Sequence, residues 1–156
     1  MLNDDKFPYG LAGEGWQIAE ARPSAFAGGT TNARGDDGGT SDPLTLFTIT
    51  GDVVVRIFGV CTVDLVSAGG GTVSVGVTGN TAGLIALTTG TAIDANELWN
   101  DSTPAAGTDT LANILGPYLV VNGLAIAEYI GTADITAGNI YYICLWRPLT
   151  PGSKLV

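Results

Sequence analysis

From Val53 to Leu65 every odd position is apolar or glycine (Val53, Val55, Ile57, Gly59, Cys61, Val63, Leu65), while the even positions include Arg56, Thr62 and Asp64. Side chains of a strand point alternately to its two faces, so this period of two predicts one long strand with a single buried face. Gly59, in the middle of it, is the expected place for a bulge or bend. A strand of this length needs partners, and the rest of the chain has to supply a sheet.

Composition agrees. The chain has 156 residues, the size of one domain, with 46% hydrophobic residues, 13% charged residues and 23 glycines. Valine, isoleucine and threonine suit a pleated surface, and glycine supplies the positive φ of tight turns. Six lysines and arginines leave little from which to build amphipathic helices with paired charges. Leu44–Thr50 reads as a further strand. Val73, Val75 and Val77 alternate with polar residues and are expected to pair with the long strand as a hairpin across Ala68-Gly69-Gly70-Gly71. Asn122-Gly123, between the apolar runs 118–121 and 124–130, predicts a second hairpin. Leu111–Leu115 and a shorter run at Leu84–Leu87 add candidates. Asp94, followed three positions later by Glu97, has the spacing of a helix start and predicts one short helical turn. The expected fold is therefore all-β: a β-sandwich, jelly-roll-like, of seven or eight strands with at most one short helix.

Residues 1–43 show no sustained period and are expected to form an extended N-terminal arm ahead of a sandwich domain at 44–156. Phe7, Tyr9, Trp16, Ile18 and Phe26 are spaced along it in the manner of anchors. Extended, the arm would reach on the order of 140 Å, enough to lie on a neighbouring subunit. A strand and loops folded back on the same domain fit the residues equally well. The last strand, Asn139–Arg147, is apolar on both faces: Tyr141, Ile143 and Leu145 on one, Ile140, Tyr142, Cys144 and Trp146 on the other. One face belongs to the core and the other needs cover, a question also raised by Val54, Phe58 and Val60 of the long strand. Apolar surface beyond one core marks an interface. The candidate partner-binding residues are Phe7, Tyr9, Trp16, Ile18, Phe26, Tyr142 and Trp146, and a homo-oligomer is expected.

Residue types narrow the function. The chain has no histidine, which removes Ser-His-Asp and Cys-His catalysis and most zinc sites. Asp94 with Glu97 and Asp36 with Asp37 are the carboxylate pairs open to hydrolytic chemistry, but a cap and a solvated turn account for them. Asp36, Asp37, Asp42 and Asp52 lack the order of a calcium loop. No catalytic residue, metal or cofactor is expected, and the chain is not read as an enzyme. Net charge is −9 and the basic residues Lys6, Arg22, Arg34, Arg56, Arg147 and Lys154 are scattered in the sequence, so no nucleic acid is expected as a partner. Arg34-Gly35-Asp36 spells an adhesion tripeptide, to which a Gly-rich turn gives little weight. Cys61 and Cys144 lie in apolar runs and read as buried core residues in preference to a disulfide. The start of the chain lacks the pattern of a signal peptide and no stretch has transmembrane length, so a soluble protein made in the cytoplasm, with no membrane partner, is expected.

The segments Gly29–Asp36, Leu46–Val60 and Gly138–Leu149 resemble those of small virion proteins of tailed bacteriophages, encoded near the major capsid protein. The resemblance covers most of residues 30–149 and carries over no functional residue. It implies an auxiliary capsid protein, a decoration or cement protein that binds the major capsid protein across capsomers. It further implies a homotrimer at three-fold positions and a place on the capsid surface of the virion, after assembly in the host cytoplasm. A second reading is a receptor- or glycan-binding fibre module, in which Trp99, beside the polar loop 100–109, would stack on a sugar.

Overall fold

The computed structural model describes residues 16–106, 118–120 and 122–156. The anchors Phe7 and Tyr9 and the run Leu111–Leu115 lie outside them. Among the described residues there are eleven strands and no α-helix. The strands are β1 (Gln17–Ala21), β2 (Leu44–Thr50), β3 (Val53–Val66), β4 (Thr72–Val77), β5 (Asn80–Thr89), β6 (Glu97–Trp99), β7 (Ala105–Ala106), β8 (Tyr118–Val120), β9 (Ala125–Gly131), β10 (Ala137–Pro148) and β11 (Lys154–Leu155).

They form two antiparallel sheets. One runs β1-β10-β3-β6-β7, with β8 also paired to β3, and the other runs β11-β2-β9-β4-β5. Buried residues of both make one core: Val55, Ile57, Tyr142 and Trp146 from the first sheet meet Phe47, Val75, Ile85 and Ile126 from the second. This is a β-sandwich, as the alternation in β3 requires. Val53, Val55, Ile57, Gly59, Cys61 and Leu65 are all buried, but Val63 is 55% exposed. The cause lies opposite it, where the register of β10 on β3 slips around Asn139. Gly138 there has φ 112°, and a Cβ on it would come within 2.6 Å of the Asp64 carbonyl oxygen. The irregularity expected at Gly59 thus sits at residues 138–139. Gly59 itself is in regular register with Tyr142 and Trp99, and a Cβ there would meet Ile140 Cγ2 at 2.8 Å and the Trp99 ring at 3.1 Å.

Several expected pairings are corrected. β4 does not form a hairpin with β3. The chain crosses at residues 67–71 to the other sheet, where β4 pairs with β5 and β9. Asn122-Gly123 likewise does not close a hairpin: β8 pairs with β3, while β9 lies between β2 and β4. Turn chemistry fixes a reversal of direction, and the sheet that receives the next strand is decided by which face must be buried. The expected helical turn at 94–99 is also absent. Glu97 accepts a hydrogen bond from the Asp94 backbone N–H (2.8 Å), half of the capping arrangement, but Asn96 has φ 69° and the chain enters β6 instead. The single helical element among the described residues is a 3₁₀ turn at Gly90–Ala92.

Residues 16–43 lie on the sandwich. β1 pairs along β10 from Gln17↔Trp146 to Ala21↔Tyr142, and the following loops lead to β2 in the second sheet. Of the two courses open to the leader, its described part takes the folded-back one.

Candidate interaction face

The two parities of β10 divide cleanly. Ile140, Tyr142, Cys144 and Trp146 point into the core, and Tyr141, Ile143, Leu145 and Arg147 form the outer face. Tyr142 (0% exposed) and Trp146 (7%) are therefore corrected as partner-binding candidates: their own fold covers them. Phe26 is corrected in the same way, at 3% exposure in the core. Both faces of β10 are apolar in sequence, so only its partner's register decides which is inside. β3 buries its odd positions, and the pairs Ile57↔Cys144 and Val55↔Trp146 carry the even positions of β10 inward with them.

The outer face consists of rows across the six-stranded sheet. Ile18 lies beside Leu145 and then Arg56. Glu20 lies beside Ile143 and then Phe58. Tyr141 lies beside Val60 and then Leu98. Ile18 is 72% exposed, and Val54, Phe58, Val60, Tyr141, Ile143, Leu145 and Leu98 are half-buried. Trp16 and Ile18 are thus the described anchors that reach this surface.

Arginines gather on it. Trp16 stacks against two of them, with the Arg56 guanidinium carbon 4.6 Å and that of Arg147 5.2 Å from its ring centre. Arg22 lies 4.4 Å over the Tyr141 ring while its guanidinium grips Glu20 with two 2.9 Å bonds. That link and the hydrogen-bonded charge raise the Arg22 pKa. Of the five cationic side chains among the described residues, three stand on this face, so charge that is scattered in sequence is collected in space. In each stack the guanidinium is drawn to the electron-rich face of the ring. The Nε atoms of Arg56 and Arg147 are buried without a hydrogen-bond partner.

The remaining arginine has another task, which sequence reasoning missed. Arg34 is 4% exposed and forms a two-pronged ion pair with Glu128, at 2.9 Å and 2.6 Å. It also donates to the carbonyls of Ser24 (2.7 Å) and Ile140 (3.2 Å), and packs 3.8 Å over the Phe26 ring. The Tyr142 hydroxyl donates to the same Glu128 carboxylate. Burial opposes the Arg34 charge, but the facing carboxylate and its hydrogen bonds outweigh it and raise the pKa. Burial, then the Glu128 charge, pushes the Tyr142 phenol well up, so it remains a donor. The adhesion tripeptide is accordingly not displayed. The signal available was a lone Glu inside the apolar run 124–130, which demands a cation.

The other polar candidates are engaged locally. Asp36 accepts from the Asn32 backbone N–H (2.6 Å), and Asp42 from that of Ile130 (3.0 Å). Trp99, offered as a sugar platform, is 0% exposed and donates its indole N–H to Thr88 (2.9 Å). Cys61 and Cys144 are free and buried, their thiols pushed up by burial to about 11 and about 12. Such thiols are poor nucleophiles and poor ligands. No protein-family model, curated protein or solved structure matches the chain.

Proposed function

We infer that the protein is a virion structural protein of a tailed bacteriophage, one that decorates the capsid shell and stabilises it by binding the major capsid protein across capsomers. The observation that carries the reading is the outer face of the six-stranded sheet. A sandwich needs one buried face per sheet, yet here Val54, Phe58, Val60, Ile143 and Leu145 make the second face apolar as well. Contiguous apolar surface rimmed by charge is what a protein-binding module presents. The resemblance of segments 29–36, 46–60 and 138–149 to small capsid-associated proteins gives that partner its identity.

The test is co-sedimentation of the purified chain with empty shells assembled from the major capsid protein encoded beside it. Saturable binding at a fixed ratio to capsomers, with shells that withstand higher temperature, is the expected result. Shells that pellet without it, at protein concentrations on the order of tens of micromolar where weak contacts register, would overturn the reading.

A further inference from the structure

We propose that Asn122-Gly123 is a site of spontaneous covalent modification, at which the Gly123 backbone nitrogen closes on the Asn122 side chain, ammonia leaves, and the resulting linkage loosens β8 on β3. The inference is independent of the reading above, since the reaction needs water and no protein partner.

Among the asparagines of the chain, Asn122 alone is followed by glycine. Ring closure needs a following residue that does not crowd the attack, a backbone N–H not committed to another acceptor, and an exposed amide that can shed ammonia to water. Gly123 meets the first need, with φ 84° and no heavy atom within 4 Å of where a Cβ would stand. Its N–H has no acceptor among the described residues, whereas those that follow Asn32 and Asn96 are held, Ala33 by the Thr30 carbonyl (3.0 Å) and Glu97 by the Asp94 carbonyl (3.2 Å). Asn122 and Gly123 are both exposed, while Asn100 is buried. The Gly51 N–H also donates to Asn122 Oδ1 at 2.9 Å. A donor on that oxygen stabilises the negative charge that gathers there as the nitrogen adds to Cγ.

The Gly123 nitrogen gives its proton to water and bonds to Cγ, the Cγ–Nδ2 bond breaks, and Nδ2 leaves as ammonia. The product is a cyclic imide, which a second water opens. Attack at Cγ gives aspartate on the original backbone. Attack at the Asn122 main-chain carbonyl carbon gives isoaspartate, whose backbone runs through Cβ and Cγ and is longer by a methylene. The position gives the change its reach. β8 ends at Val120, opposite Val53, and β9 begins at Ala125 in the other sheet, so the added length falls where the chain crosses the sandwich. β8 is held to β3 through Val53, Val54 and Val55 alone, and Oδ1, which ties the crossing to Gly51, becomes a main-chain carbonyl oxygen. A strand this short opens readily when one end is displaced.

The experiment ages the full chain at neutral pH and body temperature and samples it by peptide mass mapping and by enzymatic methylation of isoaspartate. Asn122 is expected to convert at least about tenfold faster than any other asparagine, with methylation at the same peptide. Amide exchange at Val53–Val55 is expected to quicken in the aged chain and to stay at the fresh rate in aged Asn122→Gln, which keeps an amide but disfavours the small ring. Aged wild-type molecules, resolved by anion exchange into modified and unmodified fractions, give the same comparison should the variant fail to fold. Conversion no faster than at the other asparagines would overturn the inference, and so would modified molecules whose exchange at Val53–Val55 equals that of unmodified ones.

Discussion

Arg34, Glu128 and Tyr142 show how much one residue can depend on two others. A buried ion pair is weak evidence for stability as a whole, because both charges were taken out of water to make it, but removing one partner strands the other. Glu128→Gln is therefore expected to lower the unfolding free energy by about 3–5 kcal/mol, read from urea denaturation. Replacing Arg34 and Glu128 together by methionine and leucine is expected to cost much less, and equal losses in the two variants would contradict the account. Three buried protons give a second expectation. Tyr142 is raised above its ordinary value of 10, and Cys61 and Cys144 are raised from 9 to about 11 and about 12. Below pH 9 these groups are protonated whether the chain is folded or not. As pH rises past 9 the unfolded chain releases protons that the folded chain retains, so stability falls through the window from 9 to 12. The urea midpoint should decline from pH 8.5 to 10.5, and less steeply in Cys144→Ala; a flat midpoint would refute this. The burial of Cys61 and Cys144 was legible in the apolar runs that hold them, and Glu128 stood out as a lone charge in another, but Arg34 sits in a Gly-rich stretch that advertises only a turn.

At the scale of elements, the long strand β3 was readable because its two faces differ in polarity. β10 was not, because Tyr141 and Tyr142, or Cys144 and Leu145, are interchangeable to any rule of alternation. Its orientation is a property of the pair, set when Ile57 meets Cys144 and Gly59 meets Tyr142. Gly59 is the narrow point of that pairing, with the Trp99 and Tyr142 rings 6.3 Å apart beside it. Gly59→Ala would press a methyl group into Ile140 and Trp99 and is expected to cost roughly 1–3 kcal/mol, measurable as a lower thermal midpoint. If the midpoint does not move, the rings have room that the fold does not show. The edge strand β1 offers the opposite case: it has five residues, carries exposed Gln17, Ile18 and Glu20, and has β10 as its one partner among the described strands. Its amides should exchange with deuterium well before those of β10 in the free chain, and protection equal to β10 would show that β1 is locked by something further. The hairpin at Asn122-Gly123 failed as an expectation for a related reason, since a tight turn states that the chain reverses and leaves the destination open.

For the molecule as a whole, the fold class was legible and the wiring was not. Strands that follow one another in sequence mostly change sheets: β2 to β3, β3 to β4, β8 to β9 and β9 to β10 all cross the sandwich. Periodicity reports what each segment buries, and topology depends on closing both sheets at once. The outer face of the six-stranded sheet followed the same pattern. Apolar excess in β3 and β10 announced that a second surface existed, but Arg56 and Arg147, 91 positions apart, met on the Trp16 ring only on folding.

The partnership of β3 with β10 also has a consequence in time. Val60 waits for Tyr141 and Val53 for Pro148, so the longest strand of the sandwich leaves the ribosome well before its main neighbour has been made. At about 5–20 residues per second the delay is several seconds. Throughout it the nascent chain carries an unpaired apolar ribbon, the kind of transient surface through which incomplete chains aggregate.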